Sequence, residues 1–217
     1  MFMSTAPTLR ARHRDETRRL ILATAREAFV RDGYQSLTMR ELARRIGCSA
    51  GAIYLHFKGK EELLHCLVEE SFARLLEALT QVPPGDDPVA VLKARLHAYV
   101  AFGLAYPYHY HFAFMLPSVG GGREQAPPLT PHAAFEVMRR SVAACQARGL
   151  MRTVDGEAAS QALWAAVHGI TSLLIARPDF PWVDRETLVA GVVEMAVDGL
   201  VAPRPADGEG GEHASDR

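Results

Sequence analysis

Thr38-Met39-Arg40-Glu41-Leu42-Ala43-Arg44-Arg45-Ile46-Gly47-Cys48-Ser49-Ala50-Gly51-Ala52-Ile53-Tyr54-Leu55-His56-Phe57-Lys58-Gly59-Lys60 reads as two short helices joined by a tight turn. Thr38 precedes an apolar pattern and has Glu41 three residues later, a spacing in which hydroxyl and carboxylate each satisfy a free backbone N–H. A helix is predicted from there, with Leu42, Ala43 and Ile46 as its inward stripe. Gly47 supplies the permissive backbone that ends it, and Ser49 is placed to cap the next helix. In that second helix Ile53 and Phe57, four apart, share the face that packs on the first. Ala50, Gly51, Ala52, Tyr54 and His56 are left near an outer surface of the size that enters a DNA major groove.

Working outward, Gly33-Tyr34, Leu37-Thr38, Glu41-Leu42-Ala43 with Gly47-Cys48-Ser49, Ala50 to Tyr54, His56-Phe57, Lys58, Lys60 and Glu62-Leu63-Leu64 together resemble the TetR/AcrR family of bacterial regulators. The likeness runs from Thr17 to Leu64 and consists of several linked submotifs in one register. It implies an all-α chain, with an N-terminal three-helix helix-turn-helix DNA-binding domain and a larger helical domain for effector binding and dimerisation. Ala50, Ala52 and Leu55 depart from the family's usual residues. Alanine offers only close approach or contact with a thymine methyl, so hydrogen-bond discrimination is expected to shift to Arg40, Tyr54 or the N-terminal arm. Further along, Leu163-Trp164-Ala165-Ala166-Val167-His168-Gly169 resembles the Trp…His-Gly stretch of one family of TetR C-terminal domains.

Charge is distributed to match. Residues 1–60 carry 12 Lys and Arg against 5 Asp and Glu, a balance of +7, whereas the whole 217-residue chain has a formal net charge of −1. A basic end beside an acidic remainder fits a polyanion held at the N-terminal end only, because Lys and Arg at phosphates release counterions. Cys48, Cys66 and Cys145 are odd in number and far apart, with no CxxC and no secretory leader, so a reduced cytoplasmic chain is expected. The uncharged run Ala158 to Ala176 holds Ser160, Gln161, His168, Thr171 and Ser172 and reads as a buried helix, not a membrane span.

The organisation follows from breakers and periodicity. Residues 1–14 read as a flexible basic arm, 15–60 as the helix-turn-helix domain, 61–202 as the helical effector and dimerisation domain, and 203–217 as a disordered tail. Helices are predicted over Asp15 to Asp32, Glu61 to Leu79, Pro88 to Ala105, Pro131 to Arg148, Gly156 to Ala176 and Asp184 to Val201. A short aromatic segment follows Pro107, and Pro117 to Pro131 reads as a Gly/Pro-rich loop.

Roles follow from position. Thr38 and the amides beside it suit a phosphate, as does Lys60. Arg40, Ser49, Tyr54 and His56 complete the expected DNA surface; for Tyr54 the competing reading is core packing, and for His56 a turn or packing role. The family resemblance implies that the last two helices pair in a dimer, with Ile170, Leu174, Val189, Val192, Val193 and Ala196 as the seam. His97, Tyr106, Tyr110, Phe114, Phe135, Met138, Trp164 and His168 supply the aromatic and polar groups of an effector pocket, although such a stripe also reads as plain core. His109 and His111 with His97 or His168 suggest a metal site, but no nearby Cys or carboxylate completes it, so neither metal nor cofactor is expected. There is no HExxH and no phosphate-cradling loop, which argues against an enzyme. The expected protein is a homodimeric repressor released from operator DNA by a small hydrophobic or aromatic effector. The alternatives are a regulator without an effector and a metal-responsive sensor.

Overall fold

The computed structural model describes residues 8–115 and 129–202, and they form an all-α array. Helix α1, Leu9–Asp32, starts six residues before the predicted Asp15. Leu9 to Arg14 contains no Gly or Pro and is rich in strong helix formers, so residues 9–14 of the expected arm form the first turns of α1. Residues 1–7 of the arm, the tail from residue 203 and most of the Pro117 to Pro131 loop lie outside the described residues.

Helix α2, Met39–Ile46, begins at the predicted cap: Thr38 Oγ1 accepts from the Glu41 amide at 3.1 Å. The Glu41 carboxylate does not reciprocate, because Arg44 and Arg45 both donate to it. Gly47 ends α2 in the left-handed region at φ 80°, where a side chain would be strained. Ser49 Oγ then accepts from Ala52 N at 3.2 Å and starts α3, Ala50–Tyr54. Ile21, Ala25 and Phe29 of α1 close on Leu42, Ile53 and Phe57 to make the core of this N-terminal unit, the head.

Helix α4, Lys60–Thr80, joins the two parts and serves both cores. Leu63, Leu64 and Leu67 belong to the head, and Phe72, Leu75 and Leu79 to the body. Asp87 caps α5, Pro88–Ala105, accepting from Val89 N at 2.8 Å. Helix α6, Pro107–Phe114, lies between head and body, and α7, Leu129–Ala147, packs on α4 and α5. Helices α8, Gly156–Ala176, and α9, Arg185–Asp198, complete the body. At Gly103 a methyl group would overlap Thr171 and the Tyr110 ring, so glycine sets how closely α5, α6 and α8 meet. A lone bridge between Met151 and Val201 ties the segment after α9 to the α7–α8 connection.

Four of the six seam residues expected from sequence lie inside the body's own core. Ile170, Leu174, Val189 and Val193 are 6%, 3%, 8% and 0% exposed and form part of the chain's own core. Val192 and Ala196 are half-buried against the same core. Helices α8 and α9 are apolar around most of their circumference, so periodicity alone does not say which face the body claims. It claims the large branched side chains and leaves Leu173 (49% exposed) and Met195 (72%) outside. Helix α8 has the length and composition to cross a membrane, yet Leu163, Val167, Ile170 and Leu174 pack it into the body.

Candidate nucleic-acid interface and aromatic core

Helix α3 buries Ile53 completely against the head core. At 100° per residue, Gly51 and Leu55 stand on the opposite side, flanked by Tyr54 and Ala52. The exposures agree: Leu55 is 78% and Tyr54 54% exposed, and Gly51 is exposed, whereas Ala50 and Ala52 are half-buried. Leu55 was not among the DNA contacts expected from sequence, although its spacing from Ile53 carries the signal. Tyr54 therefore does not pack in the core. His56 is half-buried, and its carbonyl accepts from Arg18 Nη1 at 3.2 Å, a position in a braced turn.

Cations around this face are mostly committed within the protein. Arg18 also donates to Cys66 Sγ at 3.2 Å and lies over the Phe57 ring. Lys60 Nζ donates to the Tyr34 carbonyl at 2.9 Å and sits 4.3 Å above that ring, so it is drawn back to the α1–α2 turn. Arg45 bridges Glu41 and Asp32, and with Arg44 and Arg31 holds both carboxyls down at about 2. Arg40 is exposed beside Thr38, at the start of α2, where unpaired amides and the helix dipole favour an anion. No local pattern marks the Arg18 and Tyr34 braces, because their partners are 38 and 26 residues away.

In the body, four of the eight predicted pocket residues meet directly. Tyr110 stacks on His168 with centroids 5.4 Å apart, Phe114 packs edge-on to the same imidazole at 5.2 Å, and Trp164 lies 6.0 Å from it. Tyr99, missed from sequence, completes the set: its hydroxyl accepts from Trp164 Nε1 at 3.2 Å and lies 3.1 Å from His168 Nδ1. The Tyr110 hydroxyl is 2.7 Å from that nitrogen and 3.2 Å from Ser172 Oγ. Burial pushes the His168 pKa down and those of both phenols up, so the network is neutral. Phe135 stands at the edge, 5.8 Å from Trp164, beside a surface groove of about 600 Å³ lined also by His132, Glu136, Arg139 and Glu157. Met138 is ordinary core.

His97 and Tyr106 fall outside this group. His97 is half-buried two residues from Tyr99, so it projects from the other side of α5. Tyr106 is 47% exposed and packs on Phe102 and His109. His109 faces α4, with Nδ1 3.1 Å from Ser71 Oγ, on the opposite side of the junction from His168. The imidazoles do not converge, and among the described residues no three His, Cys, Asp or Glu side chains gather as a metal site.

Residues 21–67 match the family described as bacterial regulatory proteins, tetR family, and residues 92–200 match the tetracyclin repressor-like C-terminal domain. The HTH-type transcriptional repressor AcnR of Corynebacterium diphtheriae is 41% identical over 64 residues, which cover 30% of this chain and 34% of that protein. The repressor Rv1474c of Mycobacterium tuberculosis is 39% identical over 69 residues, covering 32% and 37%. The chain thus spans about a third of the length of these curated relatives. Among solved structures, a protein of unknown function from Rhodococcus sp. RHA1 superposes with a TM-score of 0.73 at 26% identity, covering 93% of this chain and all of that one. A bacterial regulatory protein of the tetR family from Rhodococcus RHA1 gives 0.69 at 25% identity, covering 83% and 95%. The capped α2–turn–α3 unit, the helical body and the family match across more than half of the chain agree: this protein belongs to the TetR family of bacterial regulatory proteins.

Proposed function

We propose that the chain is a homodimeric, sequence-specific DNA-binding repressor. The observation that carries this reading is α3, anchored by Ile53 and presenting Gly51, Tyr54 and Leu55 outward from a basic N-terminal region. Support for a dimer comes from the outer faces of α8 and α9. Ala165, Gly169 and Leu173 share one stripe, Gly191 and Met195 another, and a methyl at Gly169 or Gly191 would meet nothing within 4 Å. Mid-helix glycines cost helix stability, and open space beside them suits the close approach of a second helix pair. Two heads related by two-fold symmetry would read a palindromic operator.

Control is assigned to a small apolar or aromatic effector that enters past Trp164 and Phe135 and meets the polar groups of Tyr99, Tyr110 and His168. A second reading, a regulator without an effector, is favoured by the close mutual packing of those same rings. An operator selected from a random duplex library, followed by a release assay with aromatic and fatty compounds and thermal shift alongside, tests both. Release together with stabilisation supports the effector. Stabilisation without release supports the effector-free reading.

A further inference from the structure

The outward stripe of α3 contains almost nothing that forms hydrogen bonds. Directly opposite the buried Ile53 stand Gly51, with no side chain, and Leu55, 78% exposed, while the flanking Ala52 offers a single methyl. Ser49, which precedes the helix, accepts from Ala52 N and keeps its O–H proton at the entrance, off the outward stripe. Arg44, Arg45 and Lys60 are held by Glu41, Asp32 and the Tyr34 carbonyl. Within α3 itself, Tyr54 brings the one polar side chain.

Gly51 carries a second, independent signal. It lies inside a right-handed helix, and a Cβ there would have Ser49 Oγ at 3.8 Å as its nearest neighbour, an ordinary contact. Neither backbone conformation nor packing calls for glycine, and alanine would form the helix better. A missing methyl at the apex of an exposed face is explained by something that must approach the backbone closely from outside. An exposed leucine one turn later offers that same object an apolar contact.

Resting on the DNA-binding reading, we infer that α3 recognises its half-site by apolar contact of Leu55 with the 5-methyl group of a thymine, with Gly51 setting the depth of entry. The major groove is where that methyl is displayed, and it is the one base-edge feature that a leucine can read.

The test uses the full chain and a duplex selected from a random library. Each thymine of a half-site is replaced in turn by deoxyuridine, which deletes only the methyl. At one or two positions wild type should lose roughly fourfold in affinity per methyl, the value for one buried methyl group. Leu55→Ala should lose a similar amount on the thymine duplex and show no further loss at those positions, with its thermal midpoint unchanged. Gly51→Ala should melt roughly 2 to 4 °C higher and bind on the order of tenfold more weakly. Wild-type binding unaffected by deoxyuridine at every position, or wild-type affinity in Leu55→Ala or Gly51→Ala, overturns the inference while leaving DNA binding intact. A library that yields no enriched duplex overturns the DNA reading itself, and this inference with it.

Discussion

The ring of Phe112 on α6 lies 6.2 Å from that of Phe29 on α1, tilted by 60°. Phe112 is 2% exposed and belongs to the head core, whereas Tyr110, two residues earlier on the same helix, stacks on His168 in the body. Helix α6, eight residues long, therefore has one side in each core.

Truncating that contact should loosen both parts. Phe112→Ala is expected to cost 3 to 5 kcal/mol, in the range of roughly that size found for buried phenylalanines, and Phe112→Leu about 1 kcal/mol. Denaturant unfolding followed by head and body probes measures it. A single unshifted transition in Phe112→Ala would contradict the bridging role.

His109 should make stability depend on pH. Ser71 donates its proton to the Leu67 carbonyl, so His109 Nδ1–H donates to Ser71 Oγ, a bond that the neutral and the protonated ring both make. Burial, then Arg26 and Arg74 against Glu70, push its pKa down to about 4. Below 6.5 the unfolded chain takes up a proton that the folded one refuses, so stability falls as the pH drops from 6.5 towards 4, by on the order of 2 kcal/mol. Thermal melts of wild type and His109→Gln across that window should diverge at neutral pH and converge at pH 4. Parallel curves would contradict this.

Much of this was legible in the sequence, where the signals are local. The Thr38 and Ser49 caps, the Gly47 terminator and the bounds of α5 and α8 follow from breakers and capping residues a few positions apart. The side on which α8 meets the body was not, because Ile170 and Leu173 are both apolar and only the third dimension distinguishes them. Tyr99 escaped notice for a related reason. It gains importance only when α5 meets α8, bringing its hydroxyl to Trp164 and His168, 65 and 69 residues away.

The tyrosine pair should be separable from simple packing. Tyr110→Phe keeps the ring but removes the hydroxyl shared by His168 and Ser172, for a cost of about 1 to 2 kcal/mol. Tyr99→Phe should in addition free the Trp164 N–H and change its fluorescence. Unchanged emission in Tyr99→Phe would place Trp164 elsewhere.

The two sides of α8 predict opposite outcomes for the same substitution. Ile170→Glu puts an unpaired charge inside the protomer, costs several kcal/mol, on the order of 3 to 5, and should abolish folding. Leu173→Glu, on the exposed face, should leave a folded chain of unchanged helicity and half the mass by light scattering. A dimer that survives Leu173→Glu together with Met195→Glu would move the interface away from α8 and α9.

The most direct test of the central claim is titration of a selected palindromic duplex with the full chain over a salt series. Two protomers per duplex are predicted, with log K falling linearly with log salt, a slope of about −0.9 per neutralised phosphate, and a loss of at least tenfold in Tyr54→Ala. Salt-independent binding, or a Tyr54→Ala variant that binds as wild type does at every salt concentration, would contradict the account.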